Sequence, residues 1–316
     1  MGKVLAARFV RLLATLLAVS FLTFMMTSLL PGDPVNAVLP PDAPRDPATV
    51  ERIRAELNLD EPLMTRYLIW LNDALHGDLG TSFVTDQPVA ETIAQRVPVT
   101  VELALMATVL AVAMAIPIGV LGAYRQGQKS DQISSAGVQV ALSIPNFIAG
   151  IFLIWLFSVQ LQWLPSTGWN RISEGLGPNL QTAILPASAL ALTQMAIFSR
   201  LLRSDMIATL QENFVLSAKA KGLKDRYILF RHALRPSSLS LITIAGINFG
   251  ALLGGTVVIE TLFALPGLGF RLISAINQRD ILVIQGITVF IATVYVIINT
   301  LVDLLYLVVD PRIRKG

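Results

Sequence analysis

Six stretches of the chain are apolar and free of charge over lengths that suit a membrane-crossing helix, and polar residues gather between them. A hydrocarbon core of about 30 Å calls for about 20 residues at 1.5 Å each. The first stretch runs from Leu12 to Leu30 and the second from Leu103 to Tyr124, bounded by Arg11 and Asp33 and by Glu102 and Arg125. The third lies in the uncharged interval between Asp131 and Arg171, at about Val138 to Leu161. The fourth runs from about Thr182 to Ser199, with Pro186 placed to bend it. The fifth fills Pro236 to Ile259, where Gly246, Gly250, Gly254 and Gly255 suit close helix packing, and the sixth runs from Ile281 to Val302. This pattern predicts an all-α membrane protein of six transmembrane helices.

The intervals divide the chain into residues 1–30, an N-terminus and first helix; 31–99, an external helical loop; and 100–316, a core of five spans. Within the loop, Asp46 followed by Pro47 caps a helix with Val50, Ile53 and Leu57 on one face. A second helix over Pro62 to Leu75 directs Leu63, Tyr67, Trp70 and Leu71 toward the membrane or a partner, and ends at Gly77-Asp78-Leu79-Gly80. We read the loop as a small cap on the outer membrane face rather than a ligand-binding domain.

Composition agrees with lipid as the solvent: 54% of the 316 residues are hydrophobic and 14% charged, where soluble domains carry about 25% charge. Mean hydropathy is +0.65. The absence of Cys excludes disulfides, thiolate metal sites and a thiol nucleophile. The net charge of +3 calls for no nucleic acid, because it is distributed by side: 16 of the 24 Lys and Arg residues fall on the face of the N-terminus and 8 on the other. Discounting the long loop leaves 16 against 3, so both termini are expected in the cytoplasm. The first stretch has Lys3, Arg8 and Arg11 before it and a faint cleavage site at Val35-Asn36-Ala37. Its length exceeds a signal-peptide core of about 7 to 15 residues, and we read it as a retained span ended by Pro31 and Pro34.

The most informative interval is the inner loop at about 212–236. Asn213 is placed to cap a short helix through Phe214, Ser217, Ala218, Ala220 and Lys221, whose small residues permit close approach, and Gly222 to end it before Leu223. Asp225 then caps a second helix through Leu234 that stops at Pro236, giving a helix, a bend and a helix beneath the membrane. Charge alone would make this an ordinary positive-inside loop. The small-residue helix ending in glycine and the fixed run to Leu234 and Pro236 are what charge leaves unexplained.

With Ala218, Ala220, Gly222, Leu234 and Pro236 in this order, the loop resembles the EAA loop of inner-membrane permeases of ATP-binding-cassette importers. The Glu that names the loop is absent, with Ser217 near its place, as is typical of the dipeptide, oligopeptide and nickel branch. Within that branch the chain resembles the first, B-type, permease. Supporting runs are Pro31-Gly32-Asp33-Pro34, Gly77-Asp78-Leu79-Gly80-Thr81-Ser82, Ser143-Ile144-Pro145, Glu260-Thr261-Leu262-Phe263, Pro266-Gly267-Leu268-Gly269, Asp303-Leu304-Leu305-Tyr306 and Asp310-Pro311-Arg312. The resemblance covers residues 5–316. It implies a type I importer permease fold in a bacterial or archaeal cytoplasmic membrane, and four kinds of partner besides lipid. These are a second, C-type permease, two ATPase subunits that bind ATP and Mg, an external substrate-binding protein, and a peptide substrate. No cofactor is expected in this chain and no catalysis. The cargo stays open among dipeptides, oligopeptides, glutathione and nickel chelates.

Glu102 and Glu260 are expected at outer ends of spans, and Asp205 and Asp303 near inner ends. Glu260, with Pro266 and Gly267, is placed at the outer gate or permease interface by the resemblance; a solvated or backbone-bonded carboxylate is the alternative. Asp303 is positioned to pair with Arg200 or Arg203. His76 and His232 lie on opposite sides, so no shared metal site is expected, and His232 reads as a satisfied hydrogen-bonding group. No G-x-x-x-x-G-K-[ST] loop is present. An ion-gradient transporter would carry ionisable residues in mid-span, and an intramembrane hydrolase a nucleophile and base at one depth; neither pattern occurs.

Overall fold

The apolar runs form helices in the structure, a computed structural model that describes residues 2–28, 35, 46–56 and 58–309. In chain order these are α1 (Gly2–Ser28), α2 (Pro47–Glu56), α3 (Leu63–Leu75), α4 (Val89–Tyr124), α5 (Lys129–Ser143), α6 (Asn146–Leu153) and α7 (Leu176–Leu210). They continue with α8 (Asn213–Ala220), α9 (Asp225–Tyr227), α10 (Leu234–Gly255), α11 (Val257–Leu262), α12 (Leu268–Gln278) and α13 (Ile281–Val309). Wide π turns extend α6 over Ile154–Gln160 and join α9 to α10 over Ile228–Ala233. Among the described residues the only β pairing is an isolated antiparallel bridge between Thr81 and Pro88. Among the described residues five helices are long and apolar enough to cross a membrane, or six if a bent pair counts as one span.

That bent pair corrects the third expected span. Lys129–Ser143 and Asn146–Gln160 meet at 101°, because Pro145 forces the residue before it out of helical geometry. Ile144 accordingly has φ −89° and ψ 118°. The second span begins at Val89 rather than near Leu103. Glu91, Gln95 and Arg96 broke the apolar pattern there, yet Val89, Ile93 and Val97 carry an apolar face into a core. The fourth span extends to Leu176–Leu210 and continues through Pro186. The expected stop at Pro236 is also corrected, since a helix runs from Asp225 to Gly255. The carbonyl that a Pro236 ring would strike belongs to His232, and His232 lies in the π turn, where bonding shifts to the fifth residue along.

The chain forms two compact units, one from residues 1–98 and 267–297 and the other from 99–266 and 298–316. In the first, the apolar face expected of α3 turns to α1. Tyr67 is buried, its hydroxyl lies 2.9 Å from Ser20 Oγ, and its ring meets Phe21 edge-on at 5.1 Å. The core of this unit joins Val89 and Ile93 of α4 to Leu268 and Ala275 of α12 and to Leu282, Val283 and Ile287 of α13. The segment after Gly77 is pinned there: Ser82 Oγ donates to Asp280 Oδ2 at 2.6 Å, and Arg271 donates to the same oxygen at 3.0 Å. Asp280 is wholly buried, as a charge can be only when paired.

In the second unit α7 is the central helix, with 61% of its most apolar stretch buried. Ala191, Ala196, Phe198 and Leu202 of α7 pack with Ala111, Ala115 and Val120 of α4, Ala141 of α5, and Leu241 and Ala245 of α10. Alanines on the facing helices let backbones approach closely, the packing that replaces a hydrophobic drive within lipid. α6 packs against α11 with similar closeness: a methyl at Gly150 would stand 2.8 Å from Leu262 Cδ2 and 3.2 Å from the Phe263 ring.

Candidate functional site

The inner loop folds into a short helix, a tight turn and the start of a long helix. α8 begins with Asn213 as its first helical residue rather than its cap. Glu212 holds the cap position in extended backbone and makes no side-chain capping bond. Likewise Lys224 precedes α9 and Asp225 is its first residue. Asp225 is used differently, accepting a hydrogen bond from Tyr124 Oη at 2.8 Å. That bond ties the last residue of α4 to the first of the helix that becomes span five. Gly222 ends the turn at φ +74°, where a side chain is disfavoured and glycine is not.

The expected coupling residues separate into two faces. Val215 and Ala218 are buried against Ile228 and Leu210, so Ala218 anchors α8 to its own chain. Phe214, Ser217, Ala220, Lys221 and Leu223 face outward, with Phe214 47% exposed. Leu234 is half-buried against the core of the unit, and Pro236 sits in the first turn of α10. Leu216, Tyr227 and Phe230 add exposed apolar surface that the sequence reading passed over. Their signal was apolar residues recurring in a strongly basic loop.

Glu260 is enclosed by its own chain. It is 0% exposed, and its Oε1 accepts from Thr100 Oγ1 at 2.8 Å and Thr256 Oγ1 at 2.9 Å. Its backbone carbonyl accepts from Leu265 N, closing the turn after α11. Pro266 follows on the surface, and Gly267 is buried as the cap residue of α12. Glu102 accepts from the amide of the buried Asn179. Arg203 pairs with Asp131; the side chain of Asp303, expected to pair with Arg200 or Arg203, lies outside the described residues, as do the runs Pro31–Pro34 and Asp310–Arg312. His232 departs from expectation: its Nε2 is buried without a hydrogen-bond partner among the described residues, and its ring instead stands edge-on to Tyr227 at 5.4 Å. His76 is exposed, its Nδ1 2.7 Å from the Asn72 carbonyl.

Two family models match the chain. Residues 115–315 match the binding-protein-dependent transport system inner membrane component, and residues 1–104 match the N-terminal part of such membrane components. A putative peptide transport system permease of Brucella abortus is 40% identical over 314 residues, covering 99% of each chain. An oligopeptide transport system permease of Bacillus subtilis is 38% identical over 302 residues, 95% of each chain. A glutathione transport system permease of Escherichia coli is 34% identical over 307 residues, 97% of each. Among solved structures, an amino acid ABC transporter with histidines superposes with a TM-score of 0.50 at 15% identity, over 70% of this chain and 94% of that one. At that identity the likeness is one of fold.

Proposed function

The chain belongs to the binding-protein-dependent transport system inner membrane components, and from that premise we propose that it is the B-type permease of an ATP-driven peptide importer. It would form half of the translocation path, with a C-type permease forming the other half. Two ATPase subunits would bind ATP and Mg, and an external binding protein would deliver the peptide. The chain itself performs no catalysis in this reading. Its termini lie in the cytoplasm, which puts α8 on the cytoplasmic face of the inner membrane and α2 and α3 on the outer side.

The observation that carries the reading is the outward face of α8. Phe214, Ser217 and Ala220 present one aromatic anchor beside small residues, the kind of surface that seats in a groove of a partner. Gly222 joins this helix to a 31-residue helix that continues through the bilayer. ATPase closure would thus reach span five with no flexible linker between. Glu260, Pro266 and Gly267 would stand near the outer gate, where the Thr100 and Thr256 bonds to Glu260 hold α11 on α4.

The deciding experiment uses the assembled transporter in lipid nanodiscs and reads binding-protein-stimulated ATPase activity. Ala220→Glu and Phe214→Ala change only the outward face, so assembly should persist while stimulation falls about tenfold or more. Stimulation that survives both changes removes α8 from the transmission of the ATPase stroke. Peptides are favoured as cargo because the relatives from Brucella abortus and Bacillus subtilis carry peptide names. Glutathione, itself a short peptide, remains within that class through the relative from Escherichia coli.

A further inference from the structure

Arg200 lies ten residues before the end of α7, about 15 Å from that end along the helix axis. An arginine inside a span is costly unless it faces water, a polar partner or the membrane surface. Arg200 is exposed, and its guanidinium makes no hydrogen bond or ion pair among the described residues. A cavity of about 210 Å³ opens beside it, lined by Ser134, Ser135 and Gln139 of α5 and by Ser199, Arg200 and Arg203 of α7. The two helices run antiparallel, since Asp131 meets Arg203 while Ala141, farther along α5, packs with Ala191 and Ala196. Arg200 therefore stands one turn farther into the span than the Asp131–Arg203 pair, level with Ser134 and Ser135.

The walls hold two arginines but one uncompensated charge. Arg203 is neutralised by Asp131. Ser134 Oγ donates to the Asp131 carbonyl at 3.0 Å, Ser135 Oγ to its carboxylate at 3.4 Å, and Ser199 Oγ to the Ala196 carbonyl at 3.2 Å. The donors left over are the Arg200 guanidinium and the Gln139 amide, whose side chain likewise has no partner among the described residues. One cation facing one amide donor across the cavity suits a single negative charge. A guanidinium takes a carboxylate through two parallel bonds, as Arg203 does with Asp131 one turn away. An arginine that merely snorkelled to the surface would need no polar walls. Here two helices supply them around a space for about seven waters, room for a carboxylate and the residue that bears it.

We infer that this cavity is a carboxylate site on the inward half of the translocation path, where Arg200 and Gln139 hold the C-terminal carboxylate of the cargo before its release. The inference rests on the peptide-importer reading and adds to it an element of recognition. Peptides and glutathione alike end in a carboxylate, so the site sorts cargo by its terminus rather than by its side chains. The test measures binding of a tripeptide and of its C-terminal amide to the complete transporter in nanodiscs by saturation-transfer NMR. Binding protein and ATP are left out, so that neither contributes a preference of its own. Arg200→Gln, Arg200→Lys and Gln139→Leu all alter exposed side chains and are compared with the unaltered chain.

The preference for the acid over the amide is expected to fall about tenfold in Arg200→Gln and about threefold in Gln139→Leu. Arg200→Lys, which keeps the charge but not the fork, should lose less than Arg200→Gln. An unaltered chain that binds acid and amide equally overturns the site. So does an Arg200→Gln loss that is equal for both peptides, which would give Arg200 to a structural contact, either lipid phosphate or Asp303. ATP-driven uptake by the unaltered transporter, with its binding protein, is followed in parallel. Uptake together with an unchanged acid preference in Arg200→Gln overturns this site alone. No uptake overturns the importer reading and the cargo assignment with it.

Discussion

Arg203 clasps Asp131 through two parallel hydrogen bonds, Nε to Oδ1 and NH2 to Oδ2, each 2.7 Å long. Gly127 N at 2.9 Å and Ser135 Oγ at 3.4 Å donate to the same carboxylate. Four donors therefore satisfy a group that is 4% exposed, and the pair fixes the first turn of α5 to the central helix α7. The paired geometry belongs to a guanidinium, which a lysine ammonium does not reproduce.

Arg203→Leu strands the Asp131 charge and is expected to destabilise the second unit by about 3 kcal/mol, while Arg203→Lys costs about 1 kcal/mol. Adding Asp131→Leu to Arg203→Leu should restore much of the loss. Thermal unfolding of the chain in nanodiscs, run as a double-mutant cycle, gives the coupling energy directly; strictly additive losses would show that the pair does not hold α5 to α7.

At Gly222 no atom beyond the two flanking residues lies within 4 Å of where a Cβ would stand, yet φ is +74°. Any cost of Gly222→Ala is consequently backbone strain, about 1–2 kcal/mol. Gly222→Asn, which tolerates this region better, should lose less. Hydrogen exchange over 213–224 is the measurement: protection should fall in the order glycine, asparagine, alanine.

The wall around Glu260 distinguishes charge from hydrogen bonding. A glutamine carbonyl can still accept from Thr100 and Thr256, so Glu260→Gln is expected to fold within about 1 kcal/mol of the parent. Glu260→Leu leaves two buried hydroxyls without that acceptor and should cost about 2–4 kcal/mol. Comparable melting temperatures for the two variants would remove the hydrogen bonds to Glu260 as the tie between α11 and α4.

Close approach rather than backbone freedom governs Gly150. Gly150→Ala places a methyl 2.8 Å from Leu262 Cδ2, and overpacking of this kind costs about 1–3 kcal/mol. Leu262→Ala in the same chain should relieve most of it. A single substitution that leaves unfolding unchanged would mean that α6 and α11 are not held at this distance.

Much of this architecture was legible in the residues themselves. Charge-free length and the placement of Lys and Arg are local properties, and they located the spans; the run from Phe214 to Gly222 was likewise read as a short helix closed by glycine. Partners separated along the chain were not legible. Thr100 and Glu260 meet across 160 positions and Ser82 and Asp280 across 198, and no local period encodes such pairings. The break at Pro145 was written in Ser143-Ile144-Pro145, but uninterrupted apolar composition outweighed it. At Pro236 the reverse held: proline signalled a stop, and a π turn upstream removed the clash. Ala218 was read with its small neighbours as outward surface, although its spacing from Val215 puts both on the inward side of α8.

The unbroken helix from Asp225 to Gly255 has a mechanical consequence. Its 31 residues make a rod about 46 Å long, held at one tip by Tyr124. A rod converts small rotations at one end into larger excursions at the other: a tilt of about 10° about the cytoplasmic tip carries the far tip about 8 Å. In the importer proposed above, an engine attached to such a lever would need only a short stroke, and the length of the arm would set the size of the opening at its far end.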